Sequence, residues 1–395
     1  MDIRISPHPL RGSVTVPASK SDAHRALILA ALADRPTFVG CAETNRDIDA
    51  TAGCLNALGA SVSRVDGGFS VEPVSAVPDV CTLDCGESGS TLRFMLPVAA
   101  SLGANARFVG AGRLGDRPLG PLVDALKAGG CNVSSDRLPL EISGRLAVGN
   151  YAFPGDISSQ FITGMLMALA RLGGGSESLT SKLESAGYVD MTVRTLAKFG
   201  VSVERHGDTF NVSGSLRTPD ALAVEGDWSA AAFFFEANAL GGAVEIRGGD
   251  GDSAQPDRAA ATLFPTLGGK VDVSGCPDLF PALALAACGA ERPTEFVGGA
   301  RLRLKESDRI SATAAVIRAM GGSCEERPDG LLVTPSVLGG GSVDGANDHR
   351  IVMAAAVAAA FAHDETIIHG AEAVSKSYPA FFDDFRSLGG VFDVI

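Results

Sequence analysis

Six times along this chain an apolar, helix-like stretch closes on Gly-Gly, or on Gly with a small residue, and a short strand-like run follows. The copies are Leu58-Gly59-Ala60 before Ser61-Val62, Ala128-Gly129-Gly130 before Cys131-Asn132-Val133, and Phe199-Gly200 before Val201-Ser202-Val203. Then come Leu267-Gly268-Gly269 before Lys270-Val271, Met320-Gly321-Gly322 before Ser323-Cys324, and Leu388-Gly389-Gly390 before Val391-Phe392. Glycine at such a junction reaches the left-handed conformation that closes a helix. The leading glycines stand 70, 71, 68, 53 and 68 residues apart. A helix-then-strand unit recurring about every 70 residues leaves room for roughly two helices and a few strands per copy. Two groups of three such units predict an α/β chain made of two similar domains.

The composition narrows what those domains can do. The chain has 395 residues, 46% of them hydrophobic, enough for two substantial cores. It carries 33 Lys and Arg against 46 Asp and Glu, a net charge of -13. That balance argues against a nucleic-acid partner or an anionic membrane surface. Any anion site must be local, built from a few basic residues. No apolar run reaches membrane-spanning length, and Met1-Asp2-Ile3-Arg4 opens no signal peptide, so a cytoplasmic protein is expected. The eight Cys are scattered without a Cys-x-x-Cys pair, which predicts small buried residues rather than a zinc site or a disulfide framework.

The front ends of the expected helices carry the wrong charge. Ser19-Lys20-Ser21-Asp22 has a capping pattern and leads into an apolar run, with Ser21 and Arg25 four apart on one face. Ser88-Gly89-Ser90-Thr91, Asp156-Ile157-Ser158-Ser159-Gln160, Lys305-Glu306-Ser307-Asp308-Arg309, Asp348-His349-Arg350 and Ser375-Lys376-Ser377 precede apolar stretches in the same way. Ser and Asp at a helix start are ordinary caps. A cation there opposes the helix dipole and typically loses about 0.3–1 kcal/mol. Lys20, Lys305, Arg309, Arg350 and Lys376 all stand at or near such starts. A bound anion would reverse the sign, since free N–H groups with Lys and Arg form a phosphate or carboxylate site. Arg117, in a Gly-rich loop ahead of another helix, adds a fork suited to the same anions.

Two acids could carry proton chemistry. Asp278 stands before the apolar run Ala282–Ala287, where it caps a helix or accepts a proton. Glu306 is flanked by Lys305 and Arg309, which favour its ionised form and suit it to a base. Gly110-Ala111-Gly112-Arg113-Leu114-Gly115 imitates a dinucleotide-binding fingerprint, but Asp116-Arg117-Pro118 follows instead of a helix. A non-catalytic phosphometabolite-binding protein would keep the cations without needing either acid.

In order and spacing these motifs resemble the 5-enolpyruvylshikimate-3-phosphate synthase family over essentially the whole chain. The resemblance rests on Pro17-Ala18-Ser19-Lys20-Ser21-x-x-x-Arg25, Ser88-Gly89-Ser90-Thr91-Leu92-Arg93, Arg117-Pro118, Ser158-Ser159-Gln160-Phe161 and Tyr188-Val189-Asp190-Met191-Thr192. It continues through Glu225-Gly226-Asp227-Trp228-Ser229, Pro277-Asp278, Lys305-Glu306-Ser307-Asp308-Arg309, Asn347-Asp348-His349-Arg350 and Lys376-Ser377-Tyr378-Pro379. It implies an inside-out α/β barrel in each of two domains, each of three βαβαββ units. Residues 1–18 with 226–395 would form one domain and 19–225 the other, with the active site in the cleft between them.

The implied reaction moves the enolpyruvyl group of phosphoenolpyruvate onto the 5-hydroxyl of shikimate 3-phosphate, a step toward chorismate and the aromatic amino acids and the target of glyphosate. By match to the family motifs, Lys20, Gly89, Arg117, Gln160, Arg309, Arg350 and Lys376 would bind phosphoenolpyruvate. Lys20, Ser21, Arg25, Ser158, Ser159, Gln160, Ser185, Tyr188, Asp278 and Lys305 would bind shikimate 3-phosphate. Asp278 would accept the hydroxyl proton, and Glu306 with Lys20 would handle the proton at C3. Ala186-Gly187 stand where the family has a basic residue and Pro, which leaves Ser181 open as an alternative to Ser185. Arg301 takes the place of a family Asn and inherits no role. No metal or organic cofactor is implied, and a monomer is expected. The sister family, UDP-N-acetylglucosamine enolpyruvyl transferase, has Lys-Asn at Lys20-Ser21 and a Cys in the loop before Arg117, where this chain has none.

Overall fold

The computed structural model describes Met1–Ile395 throughout and separates them into two compact units, Met1–Pro17 with Gly226–Ile395 and Ala18–Glu225. Each unit has its own continuous apolar core. Outgoing and returning chain run side by side at the junction. Asp227 N–H donates to the Pro17 carbonyl at 2.8 Å in the first unit, and Ser19 N–H to the Glu225 carbonyl at 2.7 Å in the second.

The repeat is a small sheet with two helices. In the stretch from Asn150 to Ser213, strand Asn150–Phe153 pairs in parallel with Gly174–Leu179 across helix Ser159–Leu172. Helix Ala186–Lys198 then leads to the antiparallel hairpin Ser202–His206 and Thr209–Ser213, whose second strand joins the sheet beside Gly174–Leu179. Sheet order is therefore first, second, fourth, third. The same order holds for the sheets beginning at Cys81 and Gly269. Two further four-stranded sheets close with borrowed strands. Leu222–Ala223 pairs with Thr37–Gly40, and the N-terminal Ile3–Ser6 lies between Thr366–His369 and Val391–Val394.

The sixth sheet has two strands only, Arg11–Thr15 and Ala243–Arg247 in parallel. Short helical turns at Pro256–Thr266 replace its hairpin. This changes the reading of the glycine phrase. Five copies enter a hairpin strand or its equivalent, but Gly268-Gly269 enters Gly269–Asp272, the first strand of the next sheet. The 53-residue interval therefore spans less than one repeat. Positive φ occurs in every copy, at Gly59, Gly130, Gly200, Gly268, Gly321 and Gly389.

Each unit buries apolar helices on nearly all faces, as a helix apolar all round requires. Gly89–Leu102 and Ser159–Leu172 pack together in the second unit. Gly164 permits their close approach, since a Cβ there would stand 3.1 Å from Cα of Phe94. His349–Ala360, with every residue buried, occupies the same place in the first unit. Burying these helices holds their polar N-terminal turns in position.

Candidate active site

In the second unit, Ser19 caps helix Lys20–Leu32 by accepting from Asp22 N–H at 3.4 Å, as its capping pattern predicts. Lys20 is the first helical residue, and its Nζ meets Asp47 Oδ2 at 2.9 Å. Thr91 Oγ1 donates to the Asp47 carbonyl at 3.3 Å, and Thr51 lies 2.7 Å from both Thr91 Oγ1 and His24 Nδ1. This hydroxyl chain ties together the starts of three helices. Burial pushes the His24 imidazole well below its usual pKa, so it stays neutral.

Arg25 is buried. It donates to the carbonyls of Ser21 and, at 2.8 Å, Tyr188, and to Thr192 Oγ1 at 2.9 Å. Burial lowers its pKa to about 10, with Asp22 opposing the shift, and it remains a cation at neutral pH. Tyr188 and Ser185 stand at the start of helix Ala186–Lys198, where Ser185 is buried in left-handed conformation with φ 54°. Ser181 instead donates to Asp156 Oδ1 at 2.5 Å.

Gly89 opens helix Gly89–Leu102, which Ser88 caps. The Arg117 guanidinium packs directly on it, so that a Cβ at Gly89 would lie 2.6 Å from Cζ of Arg117. Ser158 caps helix Ser159–Leu172, and Ser159 and Gln160 fill its first turn. Gln160 Nε2 donates to Ser90 Oγ at 2.9 Å. The second unit thus joins the first turns of helices to Lys20, Arg25 and Arg117.

In the first unit the predicted residues form a dense ionic knot. Arg309, whose side chain is 1% exposed, donates from Nε to Asp348 Oδ2 at 2.8 Å. Its Nη1 meets Asp278 Oδ1 and its Nη2 meets Glu306 Oε2, both at 2.7 Å. Arg350 reaches the other Asp278 oxygen at 3.0 Å, and Lys305 lies 3.4 Å from Oδ1. Three carboxylates thus interleave with three cations, the arrangement that buried charge requires. Burial alone would lower the Arg309 pKa, but Asp348, Glu306 and Asp278 together raise it well above its usual value. Asp278 caps no helix; its carboxylate is spent on the three cations.

The structure refines the charge argument at the helix starts. Lys20, Arg309 and Arg350 do stand in first turns. Lys305 follows a short 3-10 turn, four residues ahead of its helix. Lys376 ends another 3-10 turn, where a cation is favourable, and donates to the Asn347 carbonyl at 2.7 Å. It does not open a helix, because the chain first turns through Ser377–Ala380 before Phe381–Ser387 begins.

Two residues with a part in this geometry have no assigned role in the sequence reading: Asp47 and Asp348. Asp348 had a signal, an acid directly ahead of His349 and Arg350 at a helix start. It caps that helix through Arg350 N–H at 3.0 Å and also accepts from Ser307 Oγ at 2.9 Å. Asp47 had none, since its partner Lys20 lies 27 residues away.

No group of three or more His, Cys, Asp or Glu side chains is placed to hold a metal ion. All eight Cys are free and seven are buried. Burial pushes the Cys276 and Cys288 thiols up to about 12, which suits packing rather than nucleophilic work. No helix is long and apolar enough to cross a membrane.

The family model described as EPSP synthase (3-phosphoshikimate 1-carboxyvinyltransferase) matches residues 5–268 and 259–385. A 3-phosphoshikimate 1-carboxyvinyltransferase of Clostridium kluyveri is 38% identical, covering 99% of this chain and 98% of the relative. The Clostridium beijerinckii protein of the same name is 37% identical with the same coverage. Among solved structures, an EPSP synthase from Acinetobacter baumannii superimposes with a TM-score of 0.83 at 24% identity, covering 99% of both chains. The enolpyruvyl transferase NikO from Streptomyces tendae gives 0.79 at 17% identity, covering 99% of this chain and 98% of that one. These two likenesses establish the fold.

Proposed function

We infer that this chain, which belongs to the EPSP synthase family, is an enzyme, a 3-phosphoshikimate 1-carboxyvinyltransferase. It transfers the enolpyruvyl group of phosphoenolpyruvate to the 5-hydroxyl of shikimate 3-phosphate and releases phosphate. The observation that carries the chemistry is Asp278, a carboxylate with three cations on its two oxygens.

Both substrates bring a phosphate and a carboxylate. In our reading, incoming anions take over Lys305, Arg309 and Arg350, and the same step frees Asp278 to accept a proton. The resting ion pairs thus keep the base occupied until substrate arrives. Asp278 takes the proton of the 5-hydroxyl as that oxygen attacks C2 of phosphoenolpyruvate. Glu306, hydrogen-bonded to Arg309, and Lys20, hydrogen-bonded to Asp47, handle the proton gained and then lost at C3. The tetrahedral intermediate expels phosphate, and the Arg and Lys groups stabilise charge where it develops.

Phosphoenolpyruvate is assigned to Lys20, Gly89, Arg117, Gln160, Arg309, Arg350 and Lys376. Shikimate 3-phosphate is assigned to Lys20, Ser21, Arg25, Ser158, Ser159, Gln160, Ser185, Tyr188, Asp278 and Lys305. Ser185 is preferred to Ser181 for its place beside Tyr188 at the start of helix Ala186–Lys198. We propose a cytoplasmic monomer, which size determination in solution checks for oligomeric state.

The deciding experiment is a two-substrate phosphate-release assay. Release is expected only with phosphoenolpyruvate and shikimate 3-phosphate together. Release with phosphoenolpyruvate and UDP-N-acetylglucosamine, but not with shikimate 3-phosphate, would overturn the reading.

A further inference from the structure

Helix Gly89–Leu102 carries one buried cation that none of these roles uses. Arg93 lies one turn beyond Gly89 and is 5% exposed. Its Nη1 donates to Oε1 of Gln160 at 2.7 Å. Its Nη2 donates to the Pro118 carbonyl at 3.1 Å, and the guanidinium stands over the Phe161 ring at 5.3 Å. The last two contacts hold the guanidinium still. The first one chooses an orientation for its neighbour.

A glutamine amide has an accepting end and a donating end of nearly the same shape, so its partners decide which way it faces. Arg93 is a donor only and can meet only the oxygen. Ser90, at 2.9 Å from Gln160 Nε2, has a hydroxyl able to serve either end. Arg93 therefore makes the choice. With Oε1 held toward Arg93, the N–H end is turned to Ser90, beside the start of the helix that Gly89 opens. An anion arriving there meets an N–H group. A flipped amide would offer it a carbonyl oxygen, which repels it.

We infer that Arg93 is a positioning residue for phosphoenolpyruvate, fixing the Gln160 amide so that its N–H end faces the anion. This rests on the assignment of Gln160 to the phosphoenolpyruvate set. Arg93 acts through Gln160, so removing it matters only while Gln160 is present.

That dependence is the test. Full-length Arg93→Met, Gln160→Ala and the double variant are assayed with both substrates, and thermal unfolding is followed alongside. Arg93→Met is expected to raise KM for phosphoenolpyruvate by about tenfold with a smaller change in kcat. In the Gln160→Ala background the same substitution should cost about twofold or less in kcat/KM. Arg93→Lys, which keeps a cationic donor, should recover part of the loss. If Arg93→Met does not fold, Arg93→Lys with and without Gln160→Ala carries the same comparison. Equal losses in the two backgrounds, or a folded Arg93→Met with unchanged KM, overturn the inference alone. A Gln160→Ala variant with unchanged phosphoenolpyruvate kinetics overturns the assignment of Gln160, and the inference with it.

Discussion

Two carboxyl groups lie in the apolar interior with no protein hydrogen-bond partner on either oxygen, Glu177 on strand Gly174–Leu179 and Glu236 on helix Trp228–Ala239. Both are 0% exposed, and burial pushes both well above the usual value of 4.5. The folded protein therefore holds each proton to a higher pH than the unfolded chain, which releases it near 4.5. Below that pH both states are protonated and neither group makes stability depend on pH. Above it the unfolded state loses a proton that the folded state keeps. Stability then falls as the pH rises, by up to about 1.4 kcal/mol per pH unit for each group, until its folded pKa is reached.

Glu→Gln keeps the shape and removes the titration. Glu177→Gln and Glu236→Gln should each gain on wild type as the pH rises from 5 to 7, by up to about 1.4 kcal/mol per pH unit, and the double variant by the sum of the two. Urea denaturation at pH 5, 6 and 7 measures it. The single Trp of the chain, Trp228, stacks on Phe235 and reports the unit holding Glu236, while far-UV circular dichroism reports both units. A stability difference between Glu236→Gln and wild type that is the same at all three pH values would refute the reasoning, because the carboxyl would then ionise alike in both states.

Other outcomes bear on the site. Asp278→Asn should retain shikimate 3-phosphate binding by calorimetry and lose about 10²–10⁴-fold in kcat; unchanged turnover removes Asp278 from the base role. Gly89→Ala places a methyl on the Arg117 guanidinium, so KM for phosphoenolpyruvate should rise by about five- to tenfold in steady-state kinetics while the unfolding midpoint hardly moves. Asp348→Ala strips the fully buried Arg309 of its most buried partner and should cost about 3–5 kcal/mol in denaturant unfolding, far more than any exposed acid of the same unit.

The limits of local reading show in particular residues. The helix caps Ser19, Ser88, Ser158, Asp308 and Asp348 could be picked out from sequence because a cap bonds within three residues of itself. The glycine phrase marked helix-to-strand junctions, yet Gly268 and Gly59 look alike in sequence and enter different strands of their sheets. Further junctions at Gly103, Gly173 and Gly241 have the same positive φ outside the six-copy series. Lys376 reads in sequence as opening a helix because apolar residues follow it; only the intervening turn shows otherwise.

What the sequence alone determined is most helix starts and the two-domain α/β class, because caps, left-handed glycines and apolar periodicity act between near neighbours, and the family, through motifs that resemble it in order and spacing. What the tertiary structure decided is which charge meets which. Arg309 reaches Asp278 across 31 residues and Asp348 across 39, Arg350 reaches Asp278 across 72, and Arg93 reaches Gln160 across 67. Those partners are chosen by the packing of helices whose apolar faces say nothing about the ions at their ends. An ion pair is specified by position in space, and a cap by position in the chain.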